Sequence, residues 1–167
     1  EHSEELVNRL EEENVPLFLS GHLHVQHYMR NEEDRGIYEI VTSSLSTPPC
    51  QYGVLEYRDD ESFSYHTQQV DMEKWARKHK STDENLLNFN TYAPAALRTI
   101  FYNQSYDAMK DSEEEETGDL FVKLTQRQKE QMSEVYAQLN AACYGGKAYE
   151  IVKEATHTAA YKMWQEN

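Results

Sequence analysis

Hydrophobic and polar positions along this chain follow two periods, and the change falls near residue 70. Before it, apolar residues alternate in short runs with the period of strands; after it they recur about every 3.6 residues, as on one face of a helix. The first element predicted is a short helix opened by Ser3. Glu4 and Glu5 in its first turn are favourable against the positive end of the helix dipole, Leu6, Val7 and Leu10 share a face, and Asn14 supplies a left-handed stop. Residues 17–20 then read as a buried strand. Residues 25–30 and 36–43 read as a hairpin around 31–35, and 52–58 with 62–70 as a second hairpin around Asp59, Asp60 and Glu61. Five strands after one helix predict a single antiparallel sheet, which needs a further layer to complete a core.

Beyond residue 70 the pattern predicts a helical bundle. Asp71 caps a helix to about residue 80 that buries Met72, Trp75 and Ala76. A longer helix follows over 83–109, with Leu86, Phe89, Ala93, Leu97, Ile100, Phe101 and Met109 along one stripe and Pro94 expected to kink or break it. The acidic stretch up to Gly118 reads as a loop. Thr125 and Gln128 have the spacing of a capping box, opening a helix with Met132, Val135, Tyr136, Leu139 and Cys143 on one face and Gly145 and Gly146 at its end. Tyr149, Val152, Thr156, Ala159 and Met163 line a final helix. The reading divides the 167 residues at 1–70 and 71–167.

Charge narrows the partners. Sixteen Lys and Arg stand against thirty Asp and Glu, a net charge of −14, which disfavours a nucleic-acid backbone or an anionic membrane as partner. The acid is gathered in runs such as 11–13, 32–34, 59–61 and 113–116, whose consecutive carboxylates point apart and read as solvated turns. No segment reaches the roughly 20 apolar residues that span a bilayer. Cys50 and Cys143 lie far apart with no C-x-x-C spacing and read as free thiols.

Candidate chemistry is concentrated at Gly21-His22-Leu23-His24, directly after the apolar run 15–20. On a strand end, side chains at i and i+2 point the same way, so His22 and His24 present two imidazoles to one site while Leu23 points back into protein. Gly21 suits a tight turn or a close approach of backbone to a bound group. His27, three positions on, would face the other side, and His66, His79 and His157 read as surface or satisfied core residues. Ser44, Ser46 and Thr47 have no nucleophile elbow around them.

The stretch from Val15 to His24 resembles the last metal-binding motif of the calcineurin-like metallophosphoesterases, G-H-x-H at the end of a strand. Residues 44–57, Ser-Leu-Ser-Thr-Pro-Pro-Cys-Gln-Tyr-Gly-Val-Leu-Glu-Tyr, are similar to the strand, Pro-containing loop and strand that follow it in a bacterial subgroup, the cyclic-nucleotide phosphodiesterase-like members. Those carry a helical C-terminal extension, which residues 71–167 resemble, down to Tyr144-Gly145-Gly146 and Tyr161-Lys162-Met163-Trp164. The resemblance implies an α/β fold: the C-terminal portion of a metallophosphoesterase β-sandwich, mainly antiparallel strands plus one helix, followed by a small α-helical bundle. It implies that His22 ligates one metal of a dinuclear centre and His24 the other.

The family's remaining ligands, in D-x-H, G-D-x-x-D and G-N-H-[ED] motifs and a further histidine, have no counterpart here, since Gly118-Asp119 is followed by Leu120, Phe121 and Val122. The implied protein is therefore the C-terminal part of a larger hydrolase. That enzyme would use two divalent ions, Mn, Fe or Zn, on a small phosphoester substrate such as a cyclic nucleotide, and the chain alone would be inactive and need bind no metal. Its sheet, short of a second layer, is expected to be covered by self-association, by a partner chain or by a rearranged helical bundle. The alternative is a non-catalytic helical binding or assembly module in which His22 and His24 are vestigial.

Overall fold

The amphipathic N-terminal segment forms α1 (Ser3–Glu12). Asn14, at φ 54°, stops it in the left-handed conformation expected of a helix end. Leu6, Val7 and Leu10 line an apolar cavity of about 160 Å³ together with Phe18, Met29 and Ile37. This computed structural model describes residues 3–30, 36–60, 62–112 and 121–166. The chain divides into two compact units, Glu1–Val70 and Asp71–Asn167.

In the first unit, β1 (Leu17–Ser20), β2 (His27–Arg30) and β3 (Tyr38–Val41) form one sheet in the order β1-β3-β2. β4 (Gln51–Tyr57) and β5 (Phe63–Gln69) form a second, two-stranded sheet. Both hairpins expected from the alternation are present, with His27 opposite Val41 and Arg30 opposite Tyr38 in one, and Gln51 opposite Gln69 and Tyr57 opposite Phe63 in the other. The single antiparallel sheet is not. β1 runs parallel to β3, Leu17 beside Tyr38 and Ser20 beside Val41. A strand joined to its neighbour by a hairpin must run antiparallel to it, but β1 pairs with β3, the next strand but one in sequence, and its direction is free of that constraint. Ile40 on the central strand is fully buried, and Ile37 nearly so. β1 is more open than the buried strand expected, with Phe18 and Leu19 exposed on this edge. The expected turn at 31–35 lies outside the described residues.

The second unit is helical. Asp71 caps α2 (Met72–Lys78) by accepting from the Lys74 amide at 2.9 Å, and Ala76 is buried, but Trp75 is about half exposed and stacks on His79 instead of entering a core. The long helix predicted from residue 83 divides into α3 (Glu84–Leu87) and α4 (Phe89–Lys110). The division falls at Asn88 and Pro94 stays inside α4, near enough to its start that the ring disturbs only the early turns. The buried ladder of α4 is Ala93, Ser105 and Met109 with half-buried Leu97 and Phe101, while Ile100, placed on the stripe by the sequence, is exposed. The expected loop at 113–118 lies outside the described residues.

α5 (Gln126–Tyr144) opens with the full capping box: the Gln128 amide donates to Thr125 Oγ1 at 3.3 Å and the Thr125 amide donates to Gln128 Oε1 at 2.9 Å. Gly145 caps it, and Gly146 turns at φ 71°. The single final helix of the sequence reading is two, α6 (Ala148–Ala155) and α7 (Ala159–Glu166). Thr158 explains the break: its hydroxyl accepts from the Tyr161 amide at 3.2 Å, starting a new helix. Tyr149 and Val152 consequently lie at the surface, and the core is closed by Val135, Ala155 and Ala160 with Leu139, Tyr161 and Met163 packed against them.

Candidate metal centre

Because β1 and β3 are parallel, the loops that follow them leave the same end of the sheet. The carboxyl ends of adjacent parallel strands are where open sheets gather ligands. The loop after β1 contains Gly21, His22, Leu23 and His24; the loop after β3 contains Ser44, Ser46 and Thr47. The Thr42 amide donates to the Ser20 carbonyl at 3.2 Å and extends the pairing to the base of both.

His22 and His24 are not on the strand. β1 ends at Ser20, and the two histidines take left-handed backbone conformations at φ 86° and 59°. The period-two alternation expected to aim them together does not extend this far, and Leu23, expected to point inward, is 67% exposed. No protein atom lies within 4 Å of where a Cβ on Gly21 would sit. The unusual turns fall on the histidines themselves. Left-handed non-glycine residues cost on the order of 1–3 kcal/mol each, persist only where their surroundings hold them, and cluster at ligand sites. Both imidazoles are exposed.

Thr47 Oγ1 lies 3.5 Å from His24 Nδ1. A hydroxyl accepting from Nδ1–H fixes the tautomer and leaves Nε2 with its lone pair outward, the arrangement a metal-ligating histidine needs. Sequence reasoning set Thr47 aside; only the parallel pairing of β1 and β3 brings it to His24. Ser44 and Ser46 hydroxyls bond to each other at 2.7 Å.

Behind the loop is a polar hub that periodicity did not signal. Gln26 Nε2 donates to the Tyr65 hydroxyl at 3.1 Å, and Tyr65 lies 3.2 Å from Thr42 Oγ1. Gln26 Oε1 accepts from the Ser43 amide at 3.3 Å and from Gln51 Nε2 at 3.5 Å.

His27 is exposed at the start of β2, His66 is exposed on β5 beside Gln68, His79 stacks on Trp75 and His157 is exposed. Cys50 and Cys143 are free thiols, and burial raises the pKa of both, so neither is poised as a nucleophile. Among the described residues no group of three or more His, Cys, Asp or Glu could hold a metal ion, and no helix is long and apolar enough to cross a membrane. Two exposed imidazoles, one backed by a hydroxyl, fit part of a transition-metal donor set.

Residues 71–167, more than half of the chain and all of α2 to α7, match the family model for the C-terminal domain of cyclic nucleotide phosphodiesterase. No curated protein matches the chain.

Proposed function

Since this chain belongs to the cyclic nucleotide phosphodiesterase C-terminal domain family, a phosphodiesterase-related role is its premise, and we propose that it is the C-terminal part of a dinuclear-metal phosphoesterase. In this reading residues 1–70 complete a calcineurin-like catalytic domain, of the bacterial type, and His22 and His24 each ligate one of two ions, Mn, Fe or Zn. The observation that carries the proposal is the Gly-His-Leu-His loop at the exit of β1, two exposed left-handed histidines, in the same chain as the family's helical domain. The substrate is a phosphodiester, with a cyclic nucleotide as the case favoured by the family. The remaining ligands come from a segment outside these residues.

The chemistry a bound pair of ions supplies is activation of water and polarisation of the phosphoryl oxygens for in-line displacement. The chain's own part is to present neutral imidazoles: Thr47 Oγ1, 3.5 Å from His24 Nδ1, is placed to accept from Nδ1–H in the tautomer that leaves Nε2 free to bind. The exposed positions of both rings leave them open to a group approaching from beyond the sheet end.

The test is metal dependence in the longer enzyme. Stripped by a chelator, it is expected to lose hydrolysis of a chromogenic phosphodiester and recover it with Mn²⁺, while the 167-residue chain hydrolyses none with any divalent metal. Turnover of the longer enzyme that survives metal removal, or turnover by the 167-residue chain that His22→Ala abolishes, contradicts the proposal.

A further inference from the structure

We infer that Tyr65, with Gln26 and Thr42, is a positioning device for the histidine loop, holding His22 and His24 in their metal-binding conformation from the neighbouring sheet. The inference rests on the proposed role of the two histidines and adds residues that do not themselves touch metal or substrate.

The geometry begins at a glycine. On β4, a Cβ at Gly53 would lie 2.6 Å from Cε2 of Tyr65 and 2.8 Å from its hydroxyl oxygen. Real side chains do not approach so closely, so the Tyr65 ring can lie where it does only because residue 53 has none. Laid across Gly53, the ring carries its hydroxyl out of the two-stranded sheet to the loops at the end of the other one.

There the hydrogen bonds form a consistent circuit. Gln26 Nε2 donates to the Tyr65 oxygen at 3.1 Å, and the Tyr65 hydroxyl lies 3.2 Å from Thr42 Oγ1 and 3.5 Å from Gln26 Oε1. Gln26 Oε1 also accepts from the Ser43 amide and from the side chain of Gln51, which is 5% exposed. Gln26 lies two residues after His24, and Thr42 is bonded through its amide to Ser20, two residues before His22. One tyrosine hydroxyl thus grips both ends of the segment that contains the histidines. Backbone at φ 86° and 59° in non-glycine residues needs such external holding.

Two variants test this differently. Tyr65→Phe keeps the ring over Gly53 and removes only the hydroxyl; Gly53→Ala keeps every hydrogen-bonding group and displaces the ring. In the 167-residue chain both are expected to speed amide hydrogen exchange across residues 21–26 about tenfold or more, with β4–β5 ladder amides unchanged in Tyr65→Phe. In the longer enzyme both are expected to weaken Mn²⁺ affinity about 10- to 100-fold, the range for residues that orient metal ligands. Tyr52→Phe is the control, since it removes an exposed tyrosine–Gln68 hydrogen bond of 2.7 Å from the same sheet and should change neither measurement.

Uniform acceleration of exchange throughout residues 1–70 would show a merely structural role and overturn the inference. So would unchanged Mn²⁺ affinity in Tyr65→Phe while His22→Ala abolishes it. If His22→Ala itself leaves Mn²⁺ affinity intact, it is the metal-centre reading that fails, whatever Tyr65 does to the loop.

Discussion

Changing His22 or His24 to alanine is expected to lower kcat/KM of the proposed parent enzyme at least about a hundredfold, more than the 10- to 100-fold typical of residues that only orient a ligand. Each change deletes one donor from an exposed loop and removes no core contact, because both side chains are exposed. Thermal stability without metal should therefore stay near that of the unaltered protein, or rise slightly if loop strain is relieved. The loss should be in kcat, since the interaction removed acts on the reacting centre and not on uniform substrate binding. His27→Ala is the comparison: it removes an exposed imidazole only three residues along, on β2, and should leave the rate unchanged. A His24→Ala enzyme with an unaltered rate would return the loop to the vestigial reading.

Trp164→Ala is expected to destabilise the helical unit by about 3 kcal/mol, at the low end for loss of a tryptophan because the ring is only half-buried. Trp164 joins α7 to two other parts of the unit. Its ring centroid lies 5.9 Å from that of Tyr136 on α5 and 5.8 Å from that of Phe121, the latter nearly edge to face, and its Nε1 donates to the Met132 carbonyl at 2.9 Å. Trp164→Phe keeps a ring against both neighbours and should cost only about 1 kcal/mol, the usual worth of one hydrogen bond, with packing changes added. Urea unfolding followed by far-ultraviolet circular dichroism measures both. Equal losses in the two variants would mean that the hydrogen bond, not the aromatic packing, pins α7.

Local signals were the legible part of this fold. Asn14, Asp71, the Thr125–Gln128 box and Gly145–Gly146 act within a few residues of themselves, and the structure uses each as its chemistry indicates. The hairpins were readable for the same reason: each strand meets the next one along. What escaped depends on distance. The parallel pairing of β1 with β3 skips β2, so nothing near residue 17 announces it. The Thr158 break in the last helical segment escaped because Thr156, Ala159 and Met163 keep an apolar spacing across it.

The histidine pair was legible as a motif but not as a geometry. Strand alternation was carried past Ser20, where β1 ends, as far as His24, and the histidines are instead set by left-handed turns that periodicity does not register. Thr47 and Tyr65 lie 23 and 41 residues from His24 in sequence and meet the loop only through tertiary pairing, and Gln26, two residues from His24, matters through its bond to Tyr65. Glycine at position 53 was the one local trace of that arrangement: a glycine inside a strand pattern marks a close approach, here of the Tyr65 ring.

The most direct test of the central claim is to look at the metal's neighbours. X-ray absorption on the longer enzyme loaded with Zn²⁺ is expected to show imidazole nitrogens at about 2.0–2.1 Å, the usual Zn–N distance. His22→Ala and His24→Ala should each remove one imidazole from the two-ion centre, about half an imidazole per zinc in the average coordination, and His27→Ala none. A spectrum that keeps the full imidazole complement in both variants would contradict the account, showing a metal centre built without the loop after β1.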